Sequence, residues 1–256
     1  YYAESCWNNF DTIKAIQGFI NIIDYCKIEK SKSYLETSLV RVCRYSFIEK
    51  DFSEYYEYYQ ILDTIASSIG LKKESIIRLM FGFENTNSKL AVKYANRVLQ
   101  LDKLDDRLIS RSKIIIVRDD MDNGNFARAS DMCNEIIELT KNNDASEAMY
   151  LRSYFSFLEE DYLESERLVF DLAEKYSSNH WISKGFILLS DIYVLKNNKF
   201  QAKATLESVI ENHDEEDVIN TAKKKWEDII EDEQTEKLYL QKKEVTIGIG
   251  EELEYE

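Results

Sequence analysis

Proline is absent from all 256 residues and glycine occurs only seven times, where average usage gives about 13 and about 18. Tight turns of the kind that join short strands depend on those two residues, so an all-β sandwich or barrel is excluded. Collagen-like and Pro/Gly-rich disordered sequence are excluded with it. No stretch approaches the roughly 18 apolar residues of a membrane-spanning helix, and no membrane span is expected in these residues. The chain holds two histidines and no HExxH. It contains neither GxGxxG nor GxxxxGK, so a phosphate cradle is missing and no cofactor is expected. Cys6, Cys26, Cys43 and Cys133 show no CxxC or Cys/His ligand spacing, which argues against a metal and reads as small buried hydrophobes. A disulfide among the first three stays open. Lys and Arg total 33 against 48 Asp and Glu, a net charge of −15; such a polyanion repels phosphate backbones, and nucleic acid is not an expected partner. The chain starts Tyr1-Tyr2-Ala3, without methionine or a charged-then-apolar leader, and is expected to be a fragment or processed product.

What is present is helical period. Apolar residues recur at three- and four-residue spacing in segments of about 12 to 18 residues. Polar breaks such as Glu49-Lys50-Asp51, Asp122-Asn123-Gly124-Asn125, Glu159-Glu160-Asp161 and Lys196-Asn197-Asn198-Lys199 separate them. Six segments carry one trio, a mostly small residue, a bulkier one four later and an aliphatic three further on. The trios are Ala15/Phe19/Ile22, Tyr55/Tyr59/Leu62, Ala91/Ala95/Val98, Ala129/Cys133/Ile136, Ser165/Val169/Leu172 and Ala202/Leu206/Val209, with first members 40, 36, 38, 36 and 37 residues apart. A second amphipathic helix lies between copies, as in 34–47, 72–83, 106–121, 146–158 and 181–195, so each unit is a two-helix hairpin. A lone hairpin buries too little apolar surface to offset its ordering entropy, and the units must stack.

The unit Phe186-Ile187-Leu188-Leu189-Ser190-Asp191-Ile192-Tyr193, followed by Ala202 and Leu206, resembles the tetratricopeptide pattern W-x2-L-G-x2-Y…A-x3-F. Phe186, Leu189, Ser190, Tyr193, Ala202 and Leu206 stand at the six pattern positions. The period exceeds the usual 34 residues, and the proline that ends the second helix is missing, with Ser177 and Asp214 nearby. Side-chain hydrogen bonds from Asn, Asp and Ser must shape those turns. Tyr55 occupies a small-residue position, which predicts that its two helices sit further apart or rotated. His180-Trp181-Ile182-Ser183-Lys184-Gly185 and the run from Gln201 to Ile210 also resemble the C-terminal part of large tetratricopeptide proteins of the Bacteroidota cell envelope.

The fold expected is an all-α, right-handed α-solenoid of about six hairpins over residues 2–213. A capping helix at 215–233 and a non-helical tail or linker at 234–256 follow. Its function is expected to be non-catalytic, a scaffold holding a partner protein or peptide, with a small-molecule ligand disfavoured. The resemblance implies that first helices line a concave groove and points to Arg44, Phe47, Phe81, Arg118, Met149, Ser153, Lys184, Ile187 and Asp191, with a one-residue slip in the third to fifth units. It further implies a subunit of an envelope assembly or secretion machine, periplasmic or outer-membrane-associated. A cytoplasmic peptide-sensing regulator with an output domain is the alternative, and an enzyme accessory or catalytic module a third reading. The tyrosine run at 55–59 reads as hairpin core rather than a ligand platform. His180 and His213 read as structural or solvated, without a ligand-like partner; Glu215-Glu216-Asp217 read as helix N-capping, and Glu231-Asp232-Glu233 as a solvated face.

Overall fold

The computed structural model describes residues 1–29, 34–49 and 52–252, and their side chains apart from those at 47, 49, 52–54 and 241–252. The described residues form helices and no strand. In order they are α1 (Tyr2–Asn8), α2 (Thr12–Ile28), α3 (Leu35–Glu49), α4 (Phe52–Ile65), α5 (Ile69–Phe83), α6 (Ser88–Val98), α7 (Asp106–Asp122), α8 (Phe126–Leu139), α9 (Asn143–Leu158), α10 (Tyr162–Lys175), α11 (Asn179–Leu195), α12 (Lys199–Asn212) and α13 (Glu216–Glu252). Two compact units, 1–132 and 133–256, divide this series inside α8, a division the repeat pattern does not announce.

The six trios fall on α2, α4, α6, α8, α10 and α12, the second helices of successive hairpins. All their members are buried except Ile22 and Tyr55, which are half-buried. Small residues let paired helices approach closely. Ser165 on α10 is fully buried and its hydroxyl donates to the Ser153 carbonyl of α9 at 2.7 Å. On α2, a Cβ added at Gly18 would lie 2.9 Å from the Ala3 Cβ of α1. Tyr55, too large for its position, turns half outward and packs against Tyr58 at 5.9 Å.

In the first unit each helix from α1 to α7 packs on its neighbours in the chain. Phe19, Leu39, Leu79, Tyr94 and Ile116 belong to one continuous core. In the second unit α9 to α13 pack in sequence, and α11 also contacts α9 and α13 across the repeat. Burial at roughly 25 cal/mol per Å² of apolar surface drives both. Ion pairs join neighbouring repeats at the rims: Arg97–Asp63 is bidentate, and Glu84 accepts from Arg111 and Arg118, both at 2.8 Å.

Four hairpin turns share one device instead of proline or repeated glycine. A single residue adopts the left-handed region, Phe10 (φ 60°), Gly124 (φ 76°), Glu160 (φ 62°) and Asn197 (φ 57°). The next backbone N–H then reaches back across the turn, as from Asp161 to the Ser156 carbonyl at 2.9 Å and from Asn198 to Tyr193 at 2.8 Å. That closes the first helix as a Schellman-type cap. The same Asp11, Asp161 and Asn198 accept from backbone N–H groups three residues on and so begin the second helix. Between hairpins, Ser68, Asp105 and Asn142 cap α5, α7 and α9, as the sequence reading required of Asn, Asp and Ser.

One expectation is corrected and one open question closed. The 234–256 tail is not non-helical as far as it is described: α13 continues through Glu252. Residues 233–244 are almost all strong helix formers, and Lys203–Glu233 at 2.7 Å and Lys199–Glu236 at 2.8 Å fasten the continuation to α12. Residues 253–256 lie outside the described residues. Among the described residues no disulfide links Cys6, Cys26 and Cys43, the pairing the sequence left open. Burial pushes the Cys43 thiol far up and that of Cys133 to about 12, so both stay protonated.

Candidate functional site

The sequence-predicted residues fall into three groups. Lys184, Ile187 and Asp191, successive turns on one face of α11, share a cavity of about 240 Å³ with Tyr150 and Tyr154 of α9 and Asp217, Val218, Thr221 and Lys225 of α13. Of these, α9 and α11 are first helices of their repeats, the face the resemblance designates, and α13 is the helix that follows the last hairpin. Lys184 lies 4.8 Å over the Trp181 ring, and Asp191 pairs with Lys225 at 2.6 Å. The Tyr150 hydroxyl is pushed up to about 12 by burial and therefore remains a neutral donor and acceptor. The cavity offers ring faces flanked by a cation and an ion pair.

Met149 and Ser153 are not at that surface. Met149 is 4% exposed and packs with Leu168 and Leu172. Ser153 is fully buried, its hydroxyl donating to the Tyr150 carbonyl at 2.7 Å. The helix presents the next residues, Tyr150 and Tyr154, to the cavity, in register with Ile187 and Asp191 rather than displaced by the expected one-residue slip; a partner-contact role for Met149 and Ser153 is withdrawn.

In the first unit Arg44 makes a two-pronged bond to Glu74 on α5, at 3.0 and 2.8 Å. The guanidinium holds the Glu74 carboxyl below its usual range. Arg118 is engaged with Glu84, and Phe81 is partly exposed. The structure does not bring these three into one cavity, and the side chain of Phe47 lies outside the described residues. A separate apolar cavity of about 590 Å³ opens at α1 to α3, lined by Tyr1, Phe19, Ile22, Tyr25 and Tyr34 among others.

Sequence reasoning also missed a cluster. His180 at the start of α11, His213 at the end of α12 and Glu215 just before α13 lie together, their donor atoms all within 4.8 Å of one another. His180 Nδ1 contacts Glu215 Oε2 at 2.5 Å, so the reading of these histidines as lacking a ligand-like partner is corrected. A separation of 35 positions along the chain hid the pairing, which the stacking of α11, α12 and α13 creates. The Glu215 backbone carbonyl accepts from Ile219, the N-cap position expected of it, while its carboxylate turns to His180.

No protein-family model matches the chain, and no curated protein does. Solved structures do. The C-terminal part of a TPR repeat-containing protein from Cytophaga hutchinsonii superposes with a TM-score of 0.51 at 12% identity, covering 86% of this chain and 98% of that one. A tetratricopeptide repeat protein from Parabacteroides merdae gives 0.43 at 10% identity, covering 86% and 94%. The TPR domain of P58(IPK) gives 0.41 at 11% identity over 91% of this chain, which spans 65% of that domain's length. With the hairpins described above, the Cytophaga structure settles the fold: the chain is an all-α array of tetratricopeptide-type helical hairpins. Among the described residues no helix is long and apolar enough to cross a membrane.

Proposed function

We propose that the protein is a non-catalytic interaction scaffold that holds a partner protein or peptide against its first-helix face, centred on Tyr150, Tyr154, Lys184, Ile187 and Asp191. The observation that carries this reading is the cavity shared by α9, α11 and α13, where residues from the last two repeats and the helix after them converge. Side chains fixed by packing and ion pairs lose little entropy on binding, so modest contacts suffice for useful affinity. The resemblance of 180–185 and 201–210 to Bacteroidota envelope proteins supports a subunit of an envelope assembly or secretion machine. A cytoplasmic peptide-sensing regulator is the second reading. It draws on the same cavity, whose dimensions admit a few side chains of a short peptide.

Photo-crosslinking residues installed at Tyr154 and Lys184, and at the exposed Leu163 and Phe200 of the second helices, test the proposal in the source cell. Adducts to a single partner from the first pair alone are expected. Adducts confined to the second pair would move the binding face to the opposite side of the hairpins.

A further inference from the structure

We propose that His180, His213 and Glu215 form a binding site for one zinc-class divalent ion, joining the start of α11, the end of α12 and the start of α13. Two imidazoles with one carboxylate are a donor set that zinc takes, whereas calcium and magnesium prefer oxygen donors alone. Four-coordinate zinc places its donors roughly 3.3 Å apart at metal–ligand distances near 2.0–2.1 Å. The present separations, from 2.5 Å to at most 4.8 Å, bracket that value, so shifts of about an ångström or so complete the geometry.

An independent feature points to an ion. His213 is 6% exposed, and its Nε2 is buried with no hydrogen-bond partner. An orphaned polar atom in that setting is costly unless something fills its need. The other ring nitrogen, Nδ1, lies 3.3 Å from the Ser183 hydroxyl. A proton on Nδ1 donated to Ser183 leaves the Nε2 lone pair free, the arrangement in which metal-binding imidazoles are ordinarily held by a second partner.

The surroundings bear on the charge. The N-termini of α11 and α13 present partial positive charge and oppose a cation. Asp214, Glu216 and Asp217 flank the carboxylate ligand in sequence and offset it. His180 and Glu215 keep side-chain exposures of 28% and 49%, leaving an entry path and room for a fourth ligand from water or from a bound partner. The ion would staple the last hairpin to α13. This site lies outside the cavity of the proposed partner face and stands or falls separately from it.

Calorimetric titration of zinc chloride into the full 256-residue chain, stripped with chelator and exchanged into buffer, tests the proposal. One ion per chain is expected, with at least tenfold weaker binding in His180→Ala and in Glu215→Gln and unchanged binding in Glu231→Gln. Because His213→Ala risks the fold, the two exposed positions decide. Zinc should also raise the thermal midpoint of the wild type, and magnesium should leave it in place. Absence of saturable one-to-one binding, or wild-type affinity in His180→Ala, would overturn the site.

Discussion

Asp161 ends one cap and begins another, its backbone N–H bound to Ser156 and its carboxylate to the Glu164 N–H at 3.1 Å. Replacing it with alanine removes only the second of these, and Asp161→Ala should cost about 1 kcal/mol, read as a lower urea midpoint. Two glycines give opposite outcomes by geometry alone. Alanine at Gly18 meets the Ala3 Cβ at 2.9 Å, while nothing lies within 4 Å of Gly70. Gly18→Ala should therefore destabilise by about 1–3 kcal/mol through overpacking. Gly70→Ala should gain about 0.5–1 kcal/mol from lower unfolded-state entropy on the first turn of α5. Thermal melts of the pair measure both signs.

Between elements, charge is placed where repeats meet. Glu84, at the end of α5, has a side chain 6% exposed and faces Arg111 and Arg118 of α7. Glu84→Gln leaves two partly buried guanidiniums without their anion and should cost about 2 kcal/mol, seen in denaturant unfolding. The Arg44–Glu74 pair predicts a pH dependence. Because Arg44 lowers the folded-state pKa of Glu74 below its ordinary 4.5, the stabilisation is fully present above about pH 4.5. It fades as acid carries the pH down through the lowered value. Arg44→Met should flatten that part of the stability–pH curve by lowering the plateau above it, by less than about 1 kcal/mol because the pair is solvent-screened.

At the scale of the molecule, the repeat was legible in the sequence because its buried residues sit at fixed spacing inside single helices. Ala91, Ala95 and Val98 are core for the same reason they are periodic. Features that depend on several helices at once were less legible. The expected one-residue slip of register puts Met149 and Ser153 on the groove face, and one residue is enough to exchange a core position for a surface one. The 234–256 tail reads as non-helical in sequence, yet α13 carries through Glu252 as a continuation of the helix fastened to α12 by Glu233 and Glu236. Nothing local marked His180, His213 and Glu215 as companions; their meeting follows from the stacking of repeats.

The turns that close these hairpins with an Asn, Asp or left-handed residue in place of an imide bond carry a kinetic consequence. With every peptide linkage in the chain free of proline, the tens-of-seconds isomerisation that delays many refolding reactions has no substrate here. Stopped-flow refolding from urea should lack such a lag, and adding a prolyl isomerase should leave every observed rate where it was.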